Sequence, residues 1–167
     1  MVGNDQIQAV IPRLRRYARA LTGERIAADD LVQDTLERAW RKLHLFRAGT
    51  DLRAWLFTVM HNVYVNQVRA AKLRYSDDAS IEELALREPD ADGLVVRDLD
   101  RALLALPPNQ REVVLLVALE DMSYEEAART LEIPIGTVMS RLSRARETLR
   151  GLMLGLPSSG HLRVVKS

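Results

Sequence analysis

The chain has no cysteine, few aromatic residues and no long apolar run. Without cysteine it forms neither disulfides nor thiolate metal sites, so we expect a reducing, cytoplasmic location. Its three histidines, His44, His61 and His161, lack the spacing of metal ligands, so no metal site is expected. The longest apolar run, Val113–Leu119, is far shorter than the roughly 20 residues that span a bilayer, so no membrane insertion is expected.

What the chain does have is a helix-forming composition with segregated charges. Leucine and alanine dominate, with 47 % hydrophobic and 28 % charged residues in a chain of 167. The net charge of +1 hides an acidic segment between two basic ones. Residues 76–92 contain seven acids and one base, residues 141–150 contain four arginines and one acid, and residues 53–74 contain four bases and no acid. This segregation is more informative than the sum.

Apolar residues repeat at helical spacing three times in the first part of the chain. The first pattern stops at Gly23, the second ends near Leu43, and a turn at residues 46–50 precedes the third, which Thr50 or Asp51 can cap. Three amphipathic helices with short connections predict a small bundle.

The periodicity fades over residues 75–93, which predict a linker with a short helical turn around residues 81–86. A second bundle then starts near Leu94. One of its helices ends at Pro107, and Pro108 is well placed as the first residue of the next. The run VVLLVAL in that helix is compatible with a strand, but its polar flanks and helical neighbours favour a buried helix.

Residues 123–150 predict a helix-turn-helix, a motif that places side chains in the DNA major groove. Ser123 and Glu126 fit a capping box, and Ile133 with Pro134 makes the break. The alternative is an ordinary solvated, arginine-rich helix, but the complete unit favours DNA binding. Arginine and serine can reach base edges, while the last arginines are better placed for phosphates. The side chains assigned to this surface are Thr137, Met139, Ser140, Arg141, Ser143, Arg144 and Arg146.

In the third helix, Asn62 and Asn66 lie one turn apart and carry groups suited to a base edge. Arg69 and Lys72 continue toward the helix end, where phosphates would lie. From spacing alone, an exposed polar face without a ligand is an equally good interpretation. Trp55 is interpreted as a core residue in preference to a base-stacking platform.

The second helix displays charged and polar residues around its apolar stripe. Paired carboxylates can perform acid–base chemistry, but no nucleophile, histidine partner or glycine-rich phosphate loop accompanies them. The chain is therefore not expected to be an enzyme or to bind a cofactor. A protein-binding face is the favoured interpretation and a solvated face the alternative. The exposed residues include Asp30, Gln33, Asp34, Glu37 and Arg41.

Three segments together resemble bacterial sigma factors of the extracytoplasmic-function (ECF) group, within the sigma-70 superfamily. They are DDLVQDTLERAW (29–40), DLRAWLFTVMHNVYVNQVR (51–69) and LPPNQREVVLLVALEDMSYEEAARTLEIPIGTVMSRLSRAR (106–146). The resemblance implies an all-α fold of two small helical bundles joined by a linker. The implied divisions are a first domain at 1–74, the acidic linker at 75–93, a helix-turn-helix domain at 94–153 and a disordered tail at 154–167.

The resemblance also implies a promoter-specificity subunit that binds core RNA polymerase, recognises two promoter elements and helps melt DNA. The polar residues of the second helix would contact the clamp helices of the largest polymerase subunit, and the flap would be a further contact. An anti-sigma factor is an implied partner. The loop at 46–51 would capture a flipped base, whose unstacking costs a few kcal/mol. The downstream-element residues would be Phe46, Asn62, Asn66, Arg69 and Lys72, and the helix-turn-helix would read the upstream element.

Two positions depart from the family pattern. Met139 stands where many relatives carry lysine or arginine, which predicts an altered promoter preference. Glu132 replaces a glycine common at the turn, which predicts strain or a more open turn. Two other functions stay as alternatives: a free-standing helix-turn-helix regulator, and an adaptor that binds an anti-sigma partner by mimicry.

Overall fold

The computed structural model describes residues 2–75 and 94–154, with side chains described for 2–74 and 98–154. The described residues are helical and contain no strand. The helices are α1 (Asn4–Thr22), α2 (Arg25–Lys42), α3 (Leu52–Tyr75), α4 (Leu94–Ala105), α5 (Pro108–Val114), α6 (Tyr124–Leu131) and α7 (Ile135–Met153). The predicted helical turn at 81–86 and the predicted tail beyond Leu154 lie outside the described residues.

The helix boundaries follow the local signals in the sequence. α1 ends at Gly23, which adopts the left-handed conformation at φ 73° and donates its amide to Arg19. Asp51 caps α3, since its carboxylate accepts from the amides of Arg53 and Ala54 at 3.0 and 3.4 Å. Pro108 is the first residue of α5, as predicted.

The run VVLLVAL is helical, as expected, but α5 continues as a π-helical segment, Leu115–Leu119. The wider turn was not predicted from the sequence. It carries α5 to Glu120, whose amide bonds the carbonyl of Leu115 at 3.1 Å. π-turns of this kind occur preferentially at functional sites.

The two predicted bundles pack against each other. α1, α2 and α3 form one bundle, and α4 to α7 form the other, but their buried residues belong to one contiguous core. α3 contacts α6, and α1 contacts both α4 and α5. Gly23 belongs to this junction, because a Cβ there would lie 2.6 Å from Leu104 Cδ1. The division into domains at 75–93 stays a prediction, since that segment lies almost entirely outside the described residues.

Candidate nucleic-acid and polymerase interfaces

The helix-turn-helix has both of its predicted structural signals. Ser123 Oγ accepts from the amide of Glu126 at 3.1 Å, and the Glu126 carboxylate accepts from the amide of Ser123 at 3.0 Å. This is the capping box. At the turn, Glu132 adopts the left-handed conformation at φ 54°, which a residue with a Cβ adopts only at a cost. The strain expected from the missing glycine is therefore present.

Helix α7 is anchored through one face and open on the other. Val138, Leu142 and Ala145 are buried in the core, as expected for the first two. The exposed members of the predicted DNA-binding set are Met139, Ser140, Ser143, Arg144 and Arg146. The other two members, Thr137 and Arg141, are half-buried, because they lie at the edge of the anchored face.

Part of the predicted set lines a shallow groove that the sequence did not indicate. Met139, Ser143 and Arg146 share it with Tyr124, the first residue of α6, and with Arg150. Arg146 lies on a different side of α7 from Arg144, because a separation of two residues corresponds to a rotation of about 200° around the helix axis. Tyr124 gave no signal in the sequence, because its place beside α7 depends on how α6 and α7 cross.

In α3, Asn62, Asn66 and Arg69 lie on one stripe of the helix surface. Asn66 follows Asn62 by four residues and Arg69 follows Asn66 by three, and each step is about one helical turn. Asn62 is half-buried, and Asn66 and Arg69 are exposed. Trp55 lies on the same stripe, seven residues before Asn62. Lys72 is exposed but lies to one side of the stripe.

Phe46 joins this surface through an aromatic contact. Its ring centroid lies 5.3 Å from that of Trp55, with the two planes tilted by 55°. Trp55 packs against the core while remaining half-buried, so it forms a wall between the core and the loop. Thr50 and Gly49 shape that loop: Thr50 Oγ1 donates to the carbonyl of Arg47 at 2.7 Å, and Gly49 has φ 95°. The structure thus places Trp55 beside the predicted base-capturing loop, a placement that sequence reasoning missed.

The predicted polymerase-binding side chains of α2 are all exposed: Asp30, Gln33, Asp34, Glu37 and Arg41. Arg41 donates to Glu37 at 2.6 Å along one helix face, and Gln67 of α3 donates to Asp34 at 2.8 Å. Both contacts are on the surface and contribute little to stability. The face therefore stays available to a protein partner.

A second group of polar residues is buried where the bundles meet. Arg111 donates to the carbonyls of Leu21, Leu103, Leu104 and Leu106 at 2.8–2.9 Å. Burial lowers the pKa of Arg111. The Glu120 side chain is fully buried, and burial raises its pKa, partly offset by a hydrogen bond from Arg16. None of these residues was singled out from the sequence, because nothing local marks a charged residue for burial.

Within the described residues, no cluster of three or more histidine or acidic side chains could hold a metal ion. In the same part of the chain, no helix combines the length and apolarity needed to cross a membrane.

Comparison with known proteins finds two family matches, one in each bundle. The family described as "Sigma2 domain of PhyR" matches residues 7–61, and "Sigma-70, region 4" matches residues 97–149. The ECF RNA polymerase sigma factor EcfG of Rhodopseudomonas palustris is 38 % identical over 151 residues, which cover 89 % of this chain and 83 % of the relative. The chain belongs to the ECF sigma factor family. An ECF sigma factor is a promoter-recognition subunit of RNA polymerase. It is a non-catalytic transcription initiation factor.

Two solved proteins share its fold. RpoE of Bartonella quintana, solved in complex with the anti-sigma factor NepR, is 38 % identical with a TM-score of 0.78, covering 90 % of this chain and 95 % of that chain. CnrH, solved in complex with the cytosolic domain of CnrY, is 29 % identical with a TM-score of 0.65, covering 92 % and 90 %. The region 4 match spans all of α6 and most of α7, whereas the Sigma2 match ends just before Asn62.

Proposed function

We propose that this ECF sigma factor binds core RNA polymerase, reads two promoter elements with separate surfaces and helps to open the duplex. The observation that carries the proposal is the pair of polar surfaces built on anchored helices, one on α3 and one on α7. The protein makes and breaks no covalent bond in this function, and it acts in the cytoplasm, where the chromosome is transcribed.

Helix α7 reads the upstream element. Its buried face fixes the helix to the core, while Ser140, Ser143 and Arg144 face outward with donors and acceptors for base edges. Arg146 and Arg150, on the side of the groove with Tyr124, bind phosphates and set the register. Met139 is 52 % exposed, so it offers an apolar contact, for example to a thymine methyl group, at a position where the family resemblance leads us to expect lysine or arginine.

The stripe on α3 and the loop before it bind the downstream element. Asn62 and Asn66 pair with the edges of unstacked bases, and Arg69 and Lys72 follow the backbone. Phe46 and Trp55 give the loop an aromatic wall on which a flipped base stacks. Loss of stacking in the duplex is offset by these contacts, which favours the melted state.

The exposed face of α2 binds the clamp helices of the largest polymerase subunit, and the helix-turn-helix domain binds the flap. An anti-sigma factor is the proposed regulator. Two proteins that share this fold support this proposal. RpoE was solved with an anti-sigma factor bound, and CnrH was solved with the cytosolic domain of CnrY bound.

One other function is favoured by a specific observation. The Sigma2 match carries the name of PhyR, and the PhyRSL domain of Sphingomonas sp. Fr1, solved with NepR, is 26 % identical with a TM-score of 0.66. A mimic that only binds an anti-sigma factor would have this fold without needing DNA contacts. The exposed arginines of α7 favour the sigma factor, because a mimic has no use for them.

Run-off transcription tests the proposal. Core RNA polymerase is mixed with this protein and a library of upstream genomic fragments, with core enzyme alone as the control. We expect transcripts from defined start sites only when the protein is present. A protein that binds an anti-sigma factor but not core polymerase would be a mimic. A protein that binds duplex DNA but not core polymerase would be a free-standing regulator.

A further inference from the structure

Among the described residues, five hydrogen bonds join the two bundles, and three of them connect an arginine side chain to a backbone carbonyl near a helix end. Arg16 donates to the carbonyl of Leu119 at 3.2 Å, and Arg53 donates to the carbonyl of Glu120 at 2.6 Å. These carbonyls lie at the end of the helical run that contains the π-turn. The remaining contacts are Arg111 to Leu21 at 2.8 Å, Arg16 to the Glu120 carboxylate at 3.5 Å and His61 to Glu112 at 2.7 Å.

Glu120 is the least well satisfied group of this junction. Its carboxylate is fully buried, Oε1 lies 3.5 Å from Arg16 Nη2, and Oε2 lies 3.8 Å from Arg53 Nη1. Oε2 has no hydrogen-bond partner among the described residues. A buried carboxylate held this loosely is tolerated only while cations remain close, because removal of one partner leaves an uncompensated charge.

The chemistry of this junction suits an interface that opens. Junctions between domains of one chain are commonly mobile unless they are large and apolar, and this one combines apolar contacts, such as Leu104 against Gly23, with buried charged groups. Here the groups that would be uncovered include Arg53, Glu112 and Glu120, all of which water solvates well. Separation would therefore release a loosely held buried charge into water.

The junction also involves the first helix of the helix-turn-helix. In helix-turn-helix complexes the second helix lies in the major groove while the first crosses the DNA backbone. Here the first helix, α6, contacts α3 as well as α7, so the N-terminal bundle packs against the helix that would cross the DNA backbone. We propose that the packed arrangement is a resting state that weakens duplex binding, and that Arg53 keeps it closed by neutralising Glu120. This inference rests on the proposed function of α7.

A charge-removal cycle tests the closing role of Arg53 in the full chain. Because the sequence has no cysteine, Gln8→Cys in α1 and Glu125→Cys in α6, both exposed sites, accept a donor and acceptor dye pair. Arg53→Gln strands the buried carboxylate, so we expect energy transfer to fall. Adding Glu120→Gln to Arg53→Gln removes the stranded charge, so transfer should return to the wild-type level. Asp121→Asn, which removes a neighbouring exposed carboxylate, is the matched control and should change nothing.

Duplex binding tests the inhibitory role with the same unlabelled variants. The probe is a fluorescent pool of random-sequence duplex DNA at low salt. We expect Arg53→Gln to bind at least about fivefold more tightly than wild type, the lower end of ordinary coupling between sites. The double variant should return to wild-type affinity. Since Arg53 lies in the N-terminal bundle and its change removes a positive charge, tighter binding has no explanation in a direct DNA contact.

The outcomes separate the two proposals. Unchanged energy transfer in Arg53→Gln overturns the closing role, and a fall in transfer without tighter duplex binding overturns the inhibitory role. Circular dichroism checks that each variant keeps its helices. Arg144→Ala reports on α7 independently. If that change leaves duplex affinity untouched, the assignment of α7 fails, and the inhibitory role fails with it, while the distance measurement still stands by itself.

Discussion

Arg111 shows how much one buried side chain can connect. It fixes the ends of α1 and α4 by donating to four carbonyls, one of which, from Leu21, belongs to the other bundle. Carbonyls in the last turn of a helix have no partner within the helix, and a guanidinium also complements the helix dipole there. At the scale of the residue, Arg111 gives hydrogen-bond donors to backbone carbonyls that would otherwise be buried without a partner.

Replacing Arg111 with Met should lower the free energy of unfolding by about 2–4 kcal/mol, since several buried carbonyls lose a charged donor at once. Chemical denaturation monitored by circular dichroism measures the change. Arg129→Met, at an exposed position on α6, is the control and should have an effect near zero. Equal effects of the two substitutions would contradict the role assigned to Arg111.

Arg144→Ala should weaken binding to the upstream element by about 1–3 kcal/mol and relax sequence preference at one base pair. The reason is that Arg144 faces outward from the anchored helix and presents paired donors to a base edge. Fluorescence anisotropy on a duplex selected by run-off, and on its single-base variants, measures both quantities. A loss that is uniform across all variants would assign Arg144 to a phosphate instead.

Asn62→Ala should leave duplex binding unchanged but slow open-complex formation, because its amide pairs with bases only after they unstack. Permanganate footprinting of the holoenzyme follows melting, and a mobility shift on duplex DNA follows binding. Asn109→Ala, an exposed asparagine of α5, serves as the control. Equal losses of duplex binding and melting would contradict this division between the two surfaces.

At the scale of the element, the turn between α6 and α7 combines a strong start with a strained end. The capping box satisfies two amides at the start of α6, while Glu132 occupies a left-handed position at its end. α6 has only eight residues, so most of its stability comes from packing and from these two termini. The strain lies beside the DNA-reading helix, but the position itself is exposed and solvent-facing.

Glu132→Gly should raise the free energy of unfolding by up to about 1 kcal/mol, since glycine adopts φ 54° without the cost that a Cβ imposes. Thermal and chemical unfolding measure the gain. Glu125→Gly, within α6, is the matched control and should lower stability by about 1 kcal/mol, because glycine is unfavourable inside a helix. A loss at both positions would show that the left-handed position carries no strain.

At the scale of the whole molecule, the junction makes one core out of two bundles. Leu104 closes over Gly23, and Arg16, Arg53 and Arg111 add polar contacts between the bundles. The apolar core is continuous across the two bundles, and Arg111 and Glu120 are buried at the junction. The stability of the folded protein therefore depends on the ionisation of Glu120.

The raised pKa of Glu120 predicts a pH dependence of stability. The folded protein holds the proton more tightly than the unfolded chain, so the folded state is favoured below the ordinary glutamate pKa of about 4.3. This contribution is lost as pH rises from there through the raised value. Unfolding of wild type and Glu120→Gln between pH 4 and about 7 measures it. The stability of Glu120→Gln relative to wild type should increase with pH, whereas Asp121→Asn should show no such trend.

Much of the fold and part of the site were predictable, because the responsible signals are local. Helical periodicity, Gly23, Asp51, Pro108 and the capping box fixed where most elements begin and end. The polar faces of α2, α3 and α7 were found in the same way. The roles of their residues remain predictions, since exposure shows that a side chain is available and does not show what it binds.

The amino-acid sequence by itself determined the helices, the helix-turn-helix and the family, since each depends on short-range spacing or on ordered motifs. Only the tertiary structure decided that the bundles share a core, that Trp55 backs the loop through Phe46, and that Glu120 is buried between Arg16 and Arg53. These contacts join residues far apart in the chain. They depend on which helix faces pack against each other. The free energy of that packing comes from many apolar and charged contacts between distant residues, and no local sequence pattern encodes it.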